Sequence, residues 1–485
     1  MNSPEHAGYV EREARQWLLG GLMLALSWLP PVGFGAGLLV LFVLWRDSPA
    51  LTLLILFVGI VTRGVPGAPG PLPGRAVRPA DEPELAALVQ DVAERLGFRR
   101  PLLVRIVPGV RASLGRARVS GVRTHVLLLG LPLLRTLTEA QLASVIAHEL
   151  AHEQQVSSPR ATLLRYSRAQ AAERLDGHFR PLAPLAGALL RASQPVLWRA
   201  ETAADADAAR IAGTAATAEA LRRTALVGSV FEGLGETWLS QLAEEESCPK
   251  DFYDALDAAL TDPHVARRAA RAVAEDDALD PYATADHPPL EQRLAALPTH
   301  PGTPYGAAPL VLRTAATVEA WCLRQVTGHE DDETAADSTP VRLLGMEANR
   351  RRQLEDDTGP LLLCLATRRE APEEAVSVAL DAVADGTWPR LARRLEPSLR
   401  RAPAALRDRL ARNVLTAAVS RTLVGPLRAA DWTPAGPWLD TVLTSPDDGD
   451  VVVDVHQLVG EALDSGDPGP LRALPTSAGP RERTV

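Results

Sequence analysis

Lysine is all but absent from this chain: Lys250 stands alone against many arginines, a bias to which no function attaches. Cysteine is scarce as well. The three present, Cys248, Cys322 and Cys364, are far apart and lack any C-x-x-C spacing. They read as reduced core residues, which favours a cytoplasmic main body. Positive charge is also in deficit. A net charge of −9 and a pI near 5.7 give no electrostatic footprint for a phosphate backbone, so nucleic acid is excluded as a partner. No fixed-period repeat is visible.

Charge of either sign is missing from Trp17 to Trp45. That run exceeds the roughly 20 helical residues needed to cross a bilayer. Pro30-Pro31 and Gly33, Gly35 and Gly37 interrupt it, and a shorter apolar run follows from Ala50 to Thr62, so residues 1–62 are expected to be a membrane anchor of one or two spans. Glu5, Glu11 and Glu13 speak against a cleaved signal peptide. Trp17, Trp28 and Trp45 suit interfacial anchoring, and arginines flank both ends, as in a hairpin with both ends cytoplasmic. Residues 63–80, rich in Pro and Gly, read as a linker.

The central part, 81–297, carries the chemistry. Glu84 to Leu96 has helical periodicity and stops at Gly97, while Leu102 to Val107 and Thr124 to Leu129 read as strands. Thr138-Glu139-Ala140-Gln141 is a capping-box pattern, predicting a helix that starts there and runs to about Gln154. On it lies His148-Glu149-Leu150-Ala151-His152. An i,i+4 pair differs by only about 40° around a helix axis, so the two imidazoles project together and can bind one metal ion. Glu149 sits about 100° round and can reach a water beside that ion without being a ligand. A random match to this pattern occurs on the order of once per hundred such chains. A second helical stretch opens at Arg199-Ala200-Glu201 and ends near Gly213, with Glu201 and Asp205 again at i,i+4. Two histidines need an open position for water and a third ligand, and a carboxylate from a facing helix, Glu201, can supply the latter. Asp205 is placed to hydrogen-bond a ligand imidazole and fix its tautomer.

Three ordered motifs, SVIAHELAHE at 144–153, RAETAADADAARIAG at 199–213 and HPPLEQRLAAL at 287–297, resemble the HtpX-like and CAAX-prenyl-endopeptidase branch of gluzincin zinc metallopeptidases. The resemblance covers Glu82 to Leu297 and the N-terminal anchor. It implies a zincin-like catalytic domain with one Zn²⁺ per chain, held by His148, His152 and Glu201, with Glu149 as general base and Asp205 orienting a ligand. It also places His287 and Arg293 near the active centre, His287 as a candidate oxyanion donor and Arg293 as a carboxylate-orienting cation. Two departures stand out. An Asn-Ala-containing edge strand is replaced by Arg111-Ala112-Ser113-Leu114-Gly115, and the longest apolar run between the metal motifs, Pro181 to Leu190, is too short to span a membrane.

Beyond the catalytic part, 298–342 reads as a linker, 343–465 as an all-helical domain of unassigned role and a candidate partner-binding module, and 466–485 as a flexible tail. The fold class is therefore α+β, mostly α. The expected function is that of an integral cell-membrane zinc metalloendopeptidase with a cytoplasmic catalytic domain, acting on proteins or peptides, in contact with membrane lipid and serving membrane protein quality control. The alternative is an inactive zinc-containing membrane adaptor that recruits partners through its C-terminal helices.

Overall fold

The computed structural model describes residues 14–29, 36–37, 40, 72–119, 121–176, 183–244, 247–277, 285–302, 304–327, 339–344, 358–400, 402 and 404–474. The chain divides into two compact units, Met1–Thr224 with Asp280–Val318, and Ala225–Leu279 with Glu319–Val485. Residues 225–279 thus group with the C-terminal part of the chain.

In the first unit, helix α1 (14–29) is followed by strand β1 (Arg75–Ala76), helix α2 (Pro83–Leu96) and strands β2 (Leu102–Val107), β3 (Ala112–Val119) and β4 (Val122–Gly130). The strands form one sheet in the order β1-β2-β4-β3. β2 and β4 run parallel, and β3 and β1 are antiparallel to their neighbours. β4 is buried from Thr124 to its end, which is why it reads as an unbroken apolar run rather than an alternating one. β3 lies at the sheet's edge.

Helix α3 (Leu131–Thr136) leads into α4 (Glu139–Val156). The capping box is present: Thr138 accepts from the Gln141 backbone N–H, and Gln141 Oε1 accepts from the Thr138 N–H. Helices α5 (Pro159–Asp176) and α6 (Ala183–Ala212) follow. α6 begins well before Arg199, where the sequence pattern opened it, and runs through Pro195. The proline removes one backbone donor. Around it, Arg168 donates to the Leu190 carbonyl and Arg15 to that of Ala192. Packing also favours the longer helix, because Leu19 and Met23 of α1, Leu164 of α5 and Leu190 and Leu197 of α6 form one buried cluster. α6 ends at Gly213, whose φ of 86° is left-handed. A Cβ there would stand 2.8 Å from the Pro301 carbonyl oxygen, so glycine is required both for the cap and for the close approach.

No helix among the described residues is long and apolar enough to cross a membrane. The anchor expected over 1–62 lies mostly outside the described residues. The expected linkers hold ordered structure: β1 falls within 63–80, and helix Ala315–Val326, with Val318 and Cys322 buried, falls within 298–342.

The second unit is mainly helical. Its elements include the π-helical turn Phe231–Gly235, α7 (Glu236–Glu244), α8 (Pro263–Asp277), α9 (Ala404–Ala429) and α10 (Val455–Ser465). One core cluster joins Leu415, Val419 and Leu427 of α9 with Val455 and Val459 of α10 and with residues of helices Pro372–Ala384 and Trp388–Leu395. The expectation of an all-helical C-terminal domain is corrected by a three-stranded antiparallel sheet, Thr433–Pro434, Val442–Thr444 and Val452–Asp454. Strands of two or three residues are too short to show a period-2 pattern. Cys322 is buried and Cys364 half-buried, and neither is in a disulfide.

Candidate metal centre and active site

The site is built on α4 and α6, which pack against each other. Small residues permit this: Ala143, Ala147 and Ala151 on α4 and Ala204, Ala208 and Ala212 on α6 are all fully buried. His148 and His152, one turn apart, hold their rings parallel within 2° with centroids 6.1 Å apart. Opposite them, Glu201 is only 2% exposed. Its Oε1 lies 2.9 Å from His152 Nε2, and its Oε2 lies 3.3 Å from His148 Nε2 and 2.8 Å from His287 Nδ1. Asp205, one turn further along α6, stands 2.9 Å from His148 Nδ1. Arg293 grips the same carboxylate with two bonds, Nε to Oδ2 at 2.9 Å and Nη2 to Oδ1 at 2.7 Å. All seven residues singled out in the sequence meet here, because Glu149 too feels the charges of His148, His152, Glu201 and His287.

His287 and Arg293 come from the segment around the short helix Leu290–Ala295. That segment is tied down at its far end, where Thr214 Oγ1 donates to the Pro298 carbonyl and accepts from the His300 N–H.

The electrostatics follow from burial set against pairing. Burial pushes the Glu149 carboxyl up, and the neighbouring imidazoles offset only part of that. Burial would also raise Glu201, but hydrogen bonds from His148, His152 and His287 outweigh it and hold the group well below the usual carboxylate range. Asp205 is likewise held low, against burial, by Arg293 and His148. For His148 burial acts downward, yet the Asp205 and Glu201 carboxylates win and raise it to about 9.

As the side chains stand they touch one another, and among the described residues no group of three or more His, Cys, Asp or Glu is arranged to hold a metal ion. The donor set nevertheless fits a divalent cation. Two imidazole nitrogens and a carboxylate converge from two packed helices, and Glu201 Oε2, buried, receives no hydrogen bond of regular alignment. Groups of these types at this convergence are the ligand set of hydrolytic metal sites.

Two further contacts escaped the sequence reading. Glu153, 5% exposed, receives a 2.6 Å bond from Arg116 Nε of β3 and lies 3.6 Å from His125 Nε2 of β4, fastening α4 to the sheet directly after His152. The signal available was its i,i+4 relation to Glu149. Buried Arg168 lies 3.5 Å from Asp286, the residue before His287. Its partners are distant in sequence, and no local pattern announces them.

A helix bearing His-Glu-x-x-His that faces a second helix bearing a buried carboxylate defines a metallopeptidase. Residues 79–300 match the model of peptidase family M48, so this segment is similar to the peptidases of that family. The similarity supports a metallopeptidase, a hydrolase acting on protein or peptide. No curated protein and no solved structure matched the chain.

Proposed function

We propose that the protein is a membrane-associated zinc metalloendopeptidase in which Glu149 is the general base. The observation that carries this reading is the meeting of three imidazole nitrogens, from His148, His152 and His287, on the Glu201 carboxylate, with Glu149 beside them. His148, His152 and Glu201 would hold one Zn²⁺. When bound, the ion supplies Lewis acidity, which acidifies water and polarises a peptide carbonyl.

The chain's own residues do the rest. Glu149, its basicity raised by burial, takes the proton of the attacking water and returns it to the leaving amine. Asp205 accepts from His148 Nδ1 and so presents Nε2 as the ligating nitrogen, and Arg293 fixes Asp205 in turn. His287, 61% exposed at its side chain, is free to turn towards substrate and donate to the oxyanion. The β3 edge, packed against α4, offers backbone groups with which an extended peptide can pair.

Membrane association is supported by α1. Leu19, Met23 and Ser27 face inward, while the outward face carries Trp17, Leu18, Leu22, Trp28 and Leu29, all about half-exposed. Tryptophan and leucine presented together on one helix face suit the headgroup and acyl boundary of a bilayer. A cell-membrane location with a cytoplasmic catalytic unit, and a role in clearing damaged membrane proteins, complete the proposal.

Purified Glu149→Gln protein should keep stoichiometric zinc by elemental analysis and lose about 10²- to 10⁴-fold in cleavage of an unfolded test protein. Undiminished cleavage by that variant would overturn the role of Glu149. Wild-type protein that cleaves equally well without zinc would overturn the metal.

A further inference from the structure

In the first unit a cavity of about 250 Å³ opens between the start of α1, the end of α4, the start of α5 and the middle of α6. The peptidase chemistry makes no use of it. Arg15, Arg160, Arg165 and Arg199 line it, and no carboxylate does. The chain as a whole carries a net charge of −9, so this spot runs against the average. Like charges gathered around one space raise each other's energy until an anion joins them.

The guanidinium groups are reachable from outside. Arg15, Arg165 and Arg199 are exposed and Arg160 is half-buried. Arg15 Nη2 donates to the Ala192 carbonyl at 3.3 Å, and Arg199 Nε to that of Pro195 at 2.9 Å. A guanidinium carries more donors than these bonds use, and among the described residues Arg15, Arg165 and Arg199 form no ion pair. Their forks match the paired oxygens of a phosphate or phosphodiester. The start of α5 adds to the same field, since Ser158, whose hydroxyl accepts from the Ala161 N–H at 3.3 Å, also lines the space.

The surroundings say which anion this is. α1 reaches the cavity with Arg15 and Gln16, and the next two residues, Trp17 and Leu18, are half-exposed. α1 lies so close on α5 that a Cβ at Gly20 would stand 3.2 Å from the Leu163 side chain. On α5, Tyr166 follows Arg165 and is half-exposed too. Cationic and apolar surfaces thus adjoin, as they must to receive a charged head while acyl chains lie against Trp and Leu. We propose that the cavity binds the phosphodiester head group of an anionic phospholipid. Its volume falls below the roughly 300–1,000 Å³ of sites that enclose a whole small molecule, which suits a head group whose chains stay outside. That the anion is a lipid rests on the membrane association of α1. Gln155 and Val156 follow His152 on α4, and Ala200 precedes Glu201 on α6, so the bound head group sets both metal-bearing helices at the bilayer surface.

Calorimetric titration of the full-length protein with monomeric dihexanoyl-phosphatidylglycerol, dihexanoyl-phosphatidylcholine and inorganic phosphate probes the cavity without a bilayer. The phosphatidylglycerol should bind at a single site with a Kd below about 1 mM. The zwitterionic lipid and the free phosphate should each bind at least about tenfold more weakly, the first for want of net charge and the second for want of chains. The double variant Arg15→Gln/Arg165→Gln should lose about tenfold or more in affinity, as expected for removing charge-assisted bonds. Arg99→Gln/Arg123→Gln, equal in charge but outside the lining, should lose less than about twofold. Both double variants should keep wild-type melting and lipid-free cleavage of an unfolded test protein. Flotation with vesicles of phosphatidylcholine, with and without phosphatidylglycerol, tests the membrane reading separately: short-chain lipid bound but no vesicle bound overturns that reading and supports the site. Three results overturn the site, even if vesicles still bind: no binding of the phosphatidylglycerol, equal binding of phosphate or phosphatidylcholine, or no greater loss in the Arg15→Gln/Arg165→Gln protein than in the Arg99→Gln/Arg123→Gln protein.

Discussion

Both units hold buried polar atoms without a partner, but the first also gathers its buried charges into one network. In the first, three carboxylates have their charge met by neighbours, Asp205 by Arg293 and His148, Glu201 by three imidazoles and Glu153 by Arg116, while burial leaves Glu149 raised. In the second, a threonine hydroxyl and an arginine N–H, Thr416 Oγ1 and Arg268 Nε, are buried with nothing to bond. A network whose members satisfy one another is rigid and committed to one geometry, as catalysis demands. The comparison therefore teaches where the chain is preorganised for chemistry.

The contrast breaks most visibly at Arg293. Arg293→Met strands the Asp205 carboxylate, 3% exposed at its side chain, and should cost about 3–5 kcal/mol of stability in denaturant unfolding, the range for breaking a buried ion pair from one side. A loss below about 1 kcal/mol would mean that the pair behaves as an exposed one.

Acid sharpens the second half of the comparison. His456 is depressed to about 4 in the folded chain, first by burial and then by Arg268, against an ordinary 6.5. The unfolded chain therefore binds the extra proton first. The stability that the neutral ring contributes is full above about pH 6.5 and is lost as pH falls towards about 4, a change on the order of 1–3 kcal/mol. His456→Gln should flatten the pH dependence of the unfolding midpoint across that window. An unchanged slope would remove His456 from the account.

The smallest effects come from two hydroxyls. Ser144 Oγ donates to Thr217 Oγ1 at 2.9 Å, with both residues nearly fully buried, so Ser144→Ala should cost about 1–2 kcal/mol. Thr416→Val removes a buried group that has no partner and should be neutral or slightly stabilising, by less than about 1 kcal/mol. Thermal melts of the two variants side by side test the difference directly, and equal losses would erase it.

Much of the peptidase site was legible in the sequence because its chemistry repeats at helical spacing. His148 with His152, and Glu201 with Asp205, sit at i,i+4, and each pair needs only its own helix to converge. The capping box at Thr138 set the start of α4 just as locally. The beginning of α6 was not legible. Residues 183–198 contain Pro195 and depend on α1 and α5 for burial and on Arg15 and Arg168 for carbonyl partners. The β3 strand escaped as well, since Gly115, Arg116 and Arg118 break the apolar signal.

By itself, then, the sequence determined which side chains could act together within one helix, and through three ordered motifs the family that they resemble. Only the tertiary structure decided that Glu201 faces the two histidines and that His287 and Arg293 arrive from a segment more than eighty residues away. Spacing along a helix is fixed by the backbone's own 3.6-residue turn. Contacts between elements are fixed by burial and by the pairing of polar groups, and these have no address in local sequence.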